Sequence, residues 1–206
     1  MLERAIDRAM IAGIESGAIP GGVIALLHRG RLLLHRAWGH RYLYDSPSHK
    51  TAHPLPAEPD TMYDLASLTK LFTATRVMQL AETGKLNLDM PVGDYLSSFA
   101  VGGKEQATVR HVLTHTSGLA AGMHLWESPG TRQALIQAVL QADAISPPGT
   151  AYCYSDLGFI TLGSLVETVG NGPLEQQIQA DVTDPLDLCD TRFLPAPGLR
   201  PRIAPT

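Results

Sequence analysis

The chain has 206 residues, 44% of them hydrophobic and 17% charged, with a formal net charge of −4 at neutral pH. That balance is ordinary for a globular protein and excludes a disordered chain, while the slight acidity and the lack of a basic stripe exclude a nucleic-acid partner. Two cysteines, Cys153 and Cys189, are too few for a disulfide framework.

Leu2, Ile6, Ala9, Met10, Gly13 and Ile14 recur at helical spacing, so the segment from Met1 to Pro20 is predicted to be an amphipathic, charged surface helix. It has no long apolar core and is neither a signal peptide nor a membrane span. The protein as it stands is expected in the cytoplasm, or in the periplasm or outside the cell if a leader has been removed. Pro20-Gly21-Gly22 ends the helix. Two apolar runs, Val23 to Leu27 and Leu32 to Trp38, flank His28-Arg29-Gly30-Arg31 and predict a β-hairpin, which is marginal alone and wants further strands beside it. Arg41 to Asp60 is rich in Pro, His, Ser and Tyr without periodicity and reads as a long surface loop. His49 and His53 fall in that loop, which is not the helix that would set them as a metal pair, so no metal site is expected.

The next stretch, Tyr63-Asp64-Leu65-Ala66-Ser67-Leu68-Thr69-Lys70, leads into an apolar run ending at Thr83, with Gly84 placed as a C-cap glycine. It predicts a helix from about Ser67 that is apolar on most sides and hence buried. Ser67 and Lys70 are among the few polar groups to enter it. Positions i and i+3 share a face, so the hydroxyl and the amine come within hydrogen-bond reach. A lysine in an apolar site loses proton affinity and, when neutral, can take a serine's proton, while the helix N-terminus favours an oxyanion. This is the layout of a Ser-Lys nucleophile.

Further along, a short helix is expected near Val92 to Leu96, and Thr108 is expected to cap a brief helix from Val109 to Thr114. His115-Thr116-Ser117-Gly118-Leu119 follows; Ser117 with His115 lacks a third orienting group and the context of a nucleophile elbow, so it reads as a structural loop. Ser128-Pro129-Gly130-Thr131 introduces a helix from Arg132 to about Ala142. Pro147-Pro148-Gly149-Thr150 is a rigid turn that delivers Tyr152-Cys153-Tyr154-Ser155-Asp156. Leu157 to Val169 is an apolar helix ended by Gly170, with Asp156 suited to be its N-cap, and Pro173 opens another helix. Phe193 to Thr206 holds four prolines and reads as an extended tail or linker.

Three ordered stretches now carry a resemblance: Asp64 to Lys70, Val112-Leu113-Thr114-His115-Thr116-Ser117-Gly118-Leu119, and Pro148-Gly149-Thr150 running into Tyr154-Ser155-Asp156. Over nearly its whole length the sequence resembles the serine β-lactamase and penicillin-binding-protein superfamily, in its class C β-lactamase-like and esterase branch. The resemblance implies an α+β fold, with the N-terminal helix and hairpin of an antiparallel sheet followed by a helical region. It implies one domain over residues 1–206, with residues 1–62 in the sheet part, 63–192 mainly helical and carrying the motifs, and 193–206 as the tail. Ser67 corresponds to the acylated nucleophile, Lys70 to the lysine that holds and helps deprotonate it, and Tyr154 to the general base that returns the proton to the leaving group. The backbone N–H of Ser67 corresponds to one oxyanion donor. No cofactor is implied.

Two departures stand out. Asp156 replaces the asparagine of class C β-lactamases, and a carboxylate there can pair with Lys70 and hold it charged; this shifts the expectation from a β-lactamase towards an esterase or a peptidase-like member. The family's third motif, Lys or His followed two residues later by Gly, is absent, since no Lys or His occurs after His124. The remaining strands of the family's sheet are not readable either, so the chain is expected to be the N-terminal portion of a larger protein. Its sheet edge and an apolar face then await a missing segment or a second copy. The expected activity is hydrolysis, through an acyl-enzyme, of a small-molecule carboxylic ester or amide, the ester first, with a D-Ala peptide or a β-lactam as alternatives. A non-catalytic scaffold, or a fragment inactive by itself, is the alternative of another class.

Overall fold

The computed structural model describes residues 2–46, 48–127 and 130–205. It divides the chain into two units, Met1–Leu65 with Leu194–Thr206, and Ala66–Phe193.

In the first unit, helix α1 (Leu2–Glu15) is followed by strands β1 (Gly21–His28), β2 (Arg31–Ser46) and β3 (His49–Pro56), which form an antiparallel sheet in the order β1-β2-β3. The β1–β2 turn is made by Arg29 (φ 49°) and Gly30 (φ 75°), the left-handed pair that matches the twist of a two-residue hairpin. α1 is tied to the sheet through Asp7, whose carboxylate accepts from Arg36 (2.8 Å) and from Trp38 Nε1 (3.1 Å).

Strand β3 corrects the expectation of a long loop from Arg41 to Asp60. β2 runs well past Trp38 and offers a second edge, which β3 occupies as an edge strand, where Pro54 and Pro56 need no ladder N–H. The pairing shifts register repeatedly between His40 and Ser46, so no clean alternation of apolar and polar residues is left in the sequence. The final stretch is also not simply an extended tail. It contains a 3-10 helix, Pro197–Arg202, after which Ile203 bridges in parallel to Met62 and Arg202 pairs with Asp60 at 3.0 Å.

The second unit is helical: α2 (Thr69–Glu82), α3 (Val109–Leu113), α4 (Arg132–Leu140), α5 (Asp156–Gly170) and α6 (Leu174–Ile178), with short 3-10 turns between them. Thr108 caps α3 in a capping box with His111, and Thr131 caps α4. α5 is the buried helix, packing against α2, α3, α4 and α6, with Leu157, Leu162, Leu165 and Val166 at 0–1% exposure. α2 was expected to be buried on most sides and is not. It buries Thr73, Val77 and Leu80, whereas Leu68, Leu71 and Met78 are 58%, 64% and 48% exposed. Within this unit one face of α2 meets α5 and α6, and its apolar content exceeds what that face can bury. Antiparallel strands first and helices after them make an α+β arrangement. Among the described residues no helix is long and apolar enough to cross a membrane.

Candidate active site

Ser67 sits in the 3-10 turn Ala66–Leu68 that feeds α2, directly after Ala66 in a left-handed conformation (φ 45°). One turn on, Lys70 Nζ donates to Ser67 Oγ at 3.2 Å. The start of α5 supplies the other two candidates. Ser155 is extended (φ −128°, ψ 121°), and its Oγ accepts from the Gly158 N–H at 3.1 Å and donates to Ala120 O at 2.6 Å. Ser155 is therefore the N-cap, which corrects the expectation that Asp156 caps this helix. Freed from capping, Asp156 turns its carboxylate to Lys70 Nζ at 2.6 Å. The Tyr154 phenol is close enough to Ser67 and Lys70 for both to bear on its ionisation, and Lys70 Nζ lies 4.8 Å from its ring centroid. The structure thus brings Ser67, Lys70, Tyr154 and Asp156 into one cluster.

The charges in the cluster are set by these contacts. Burial works against the Lys70 ammonium, but the hydrogen bonds to Asp156 and Tyr154 and their charges outweigh it, and its pKa is raised. This corrects the expectation of a lysine that loses proton affinity: desolvation is present, and its partners win. The Tyr154 phenol moves the other way, lowered first by its hydrogen bond to Ser67 and then by Lys70, against the opposing charge of Asp156. The Ser67 hydroxyl therefore stands between a fixed cation and a phenol that ionises more readily than a free tyrosine.

The loop after α3 supports this cluster, a role that its sequence does not announce. Ser117 is buried at 2% exposure and His115 Nδ1 is engaged by the Ser155 N–H, so the two do not form a nucleophile pair. Gly118 has φ 84°, and a Cβ there would lie 2.0 Å from Ser146 O, so only glycine lets the two strands of the loop approach. Phe159, whose ring centroid is 5.8 Å from Lys70 Nζ, was not singled out because nothing distinguishes it from the other apolar residues of α5.

Beside the cluster lies a cavity of about 740 Å³, lined mainly by apolar side chains such as Leu125, Ile136, Phe159 and Leu174, with Lys70 and Arg132 as its cations. Both are paired, Lys70 with Asp156 and Arg132 with Glu167 at 2.8 Å.

Comparison with known proteins gives a consistent result. The Beta-lactamase family model matches residues 6–206. The chain is 29% identical to an N-acetylmuramyl-L-alanine amidase of Bacillus subtilis, over 97% of this chain and 48% of the relative. It is 28% identical to a putative D-alanyl-D-alanine carboxypeptidase of Escherichia coli O157:H7, over 96% of this chain and 48% of the relative. Among solved structures it is similar to EstCE1, described as a hydrolase with promiscuous acyltransferase activity, with a TM-score of 0.82 and 26% identity over 98% of this chain and 55% of that one. The chain spans about half the length of these relatives.

Proposed function

The chain belongs to the Beta-lactamase family, whose relatives here are hydrolases, and we propose that it carries the nucleophile of a serine hydrolase that forms an acyl-enzyme on Ser67. The observation behind this reading is that Lys70 Nζ donates to Ser67 Oγ at 3.2 Å while lying 4.8 Å from the Tyr154 ring, whose phenol is lowered in pKa by Ser67 and Lys70.

In the proposed reaction Tyr154, as phenolate beside the Lys70 ammonium, takes the Ser67 proton as Oγ attacks the substrate carbonyl. The carbonyl oxygen becomes an oxyanion next to the Ser67 N–H and the start of α2, which has no side-chain cap to compete for its first N–H groups. Collapse breaks the bond to the leaving alcohol, which leaves with the proton from Tyr154. Water then attacks the acyl-serine, giving one proton to Tyr154, and Ser67 departs with that proton as the acid is released. Lys70 stays positive throughout; its raised pKa suits a group that stabilises phenolate rather than one that shuttles protons.

A carboxylic ester with an uncharged, apolar part is the first choice of substrate, because the cavity beside the cluster is mainly apolar and its two cations are already paired. The likeness to EstCE1, a hydrolase with promiscuous acyltransferase activity, supports transfer of an acyl group and does not choose among the substrates. A D-Ala peptide ranks second, on the likeness to the putative carboxypeptidase, and a β-lactam third.

Intact-mass spectrometry after treatment with a fluorophosphonate tests the reading. A mass gain that disappears in Ser67→Ala supports an activated nucleophile. Folded protein that gains no mass refutes an activated Ser67 in this chain.

A further inference from the structure

The residues on either side of Tyr154 are both fastened to a single residue of the loop after α3. The Cys153 N–H donates to the His115 carbonyl at 2.9 Å, and the Ser155 N–H donates to His115 Nδ1 at 3.0 Å. Between these two bonds the imidazole lies against the Tyr154 ring, with centroids 4.5 Å apart and planes tilted by 35°. Phe159 backs the imidazole at 5.2 Å. From this clamp we infer that His115 is a positioning residue that aims the Tyr154 phenol at Ser67 and Lys70, an inference that rests on the acyl-enzyme reading above.

Three features separate this role from simple loop packing. First, the loop is closed without the imidazole: the Gly149 N–H donates to Thr116 O at 2.7 Å and the Ile145 N–H to Gly118 O at 2.8 Å. Second, His115 has φ 59°, a left-handed conformation that costs a side-chain-bearing residue about 1 kcal/mol or more and that glycine adopts freely. Glycine at 115 would keep the carbonyl bond to Cys153 and lose the bond to Ser155 and the contact with the tyrosine. Third, the Ser155 N–H requires a bare Nδ1, which places the imidazole proton on Nε2. An imidazolium would set N–H against N–H.

The electrostatic surroundings agree. Burial and then the Lys70 charge lower the His115 pKa, with Asp156 opposing. The groups facing the Tyr154 phenol are Ser67 and Lys70 at the start of α2, Asp156 at the start of α5 and His115 in the loop. A neutral His115 orients the phenol and leaves Lys70 as the cation that stabilises its ionised form.

The test is the titration of Tyr154 in the 206-residue chain, read by NMR of protein carrying 13Cζ-tyrosine, with Tyr154→Phe assigning the signal. Tyr154 should ionise below the ordinary tyrosine value of about 10. His115→Phe, which keeps a ring but removes the acceptor, should move that ionisation to higher pH and slow fluorophosphonate labelling by roughly 10- to 100-fold, the scale of a misplaced catalytic group. His115→Asn, with a carbonyl acceptor and tolerance for positive φ, should restore most of both. A low Tyr154 titration left unchanged by His115→Phe overturns the positioning role alone. A Tyr154 that titrates as a free phenol in the unsubstituted protein overturns this role together with the tyrosine's part in the proposed reaction. If His115→Phe does not fold, 15N NMR of the unsubstituted imidazole decides: a proton on Nε2 is expected, and one on Nδ1 refutes the clamp.

Discussion

Replacing Asp156 by Asn preserves shape and removes one negative charge from a carboxylate 2.6 Å from Lys70 Nζ. The Lys70 side chain is 15% exposed and that of Asp156 61%, so water screens one end of the pair. A pair of that kind contributes about 0.3–1 kcal/mol to stability. For a chain of this length 1 kcal/mol moves the melting temperature by about 2–4 °C, so Asp156→Asn should lower it by about 1–4 °C. The thermal effect is small.

The effect on acid–base behaviour is larger and has a definite sign. Burial already works against the Lys70 charge, and the Asp156 hydrogen bond is the first of the influences that overcome it; without the carboxylate, the Lys70 pKa falls. Asp156 also raises the Tyr154 pKa, so its removal lowers that value further. Both groups then lose their protons at lower pH. In the proposed reaction the rising limb of the pH–rate profile follows ionisation of Tyr154 and the falling limb follows loss of the Lys70 proton, so the whole bell moves to the acid side. The assay is the fluorophosphonate labelling rate over a pH range that reaches below the free tyrosine value of about 10 and above the free lysine value of about 10.4, so that both limbs are read, with a thermal melt alongside. A bell that stays in place, or moves to the alkaline side, in a variant with the expected small change in melting would refute the assignment of Asp156 as the group that holds Lys70 charged.

Two further predictions concern the helical unit. Lys104 is fully buried, its Nζ donates to Val101 O at 2.7 Å, and it lies 4.9 Å from the Phe99 ring centroid. Burial lowers its pKa, against the charges of Asp143 and Glu105, so the unfolded chain binds this proton more tightly. Stability should therefore rise with pH from the lowered folded value up to about 10.4, the unfolded one. Urea titrations of Lys104→Met across that window should lose this slope; equal slopes in both proteins would show that Lys104 is not held in a desolvated state. Leu162, at 0% exposure in the centre of α5, should cost about 2.7–5 kcal/mol when cut to Ala and lower the melting temperature by roughly 5–20 °C. A loss below about 1 kcal/mol, the scale of a surface substitution, would show that α5 is not the core helix.

What could be read from the sequence followed the range of the interaction. The Arg29-Gly30 turn, the Thr108 cap and the Ser67–Lys70 pair each depend on residues within one turn of each other, and all are present. β3 was hidden because its partner sets its conformation: a strand with Pro54 and Pro56 has poor intrinsic propensity and forms because β2 offers an edge. α2 and α5 are both rich in apolar residues, and composition alone does not tell which one the unit buries. Capping at α5 was misplaced by one residue because Ser155 and Asp156 are both good caps; Ser155 is chosen by its bond to Ala120 O, from a distant loop.

The charge of Lys70 shows the same limit with a chemical consequence. Read locally, a lysine on an apolar helix is a candidate base, because desolvation is the only influence that short spacing reveals. Asp156, 86 residues away, reverses the sign. In the proposed reaction, a Lys70 held as a cation leaves proton transfer from Ser67 to the partner whose pKa is lowered, Tyr154. The ammonium stands on α2 and the phenol on the non-helical stretch before α5, so their alignment depends on whatever fixes the Cys153-Tyr154-Ser155 backbone. The fixed points include the His115 carbonyl and Nδ1, together with the Ala120 and Ala121 carbonyls. In the proposed reaction the three sequence motifs are then not three sites: the first supplies the nucleophile and the cation, the third the base and the charge that keeps the cation, and the second the proposed clamp on the base.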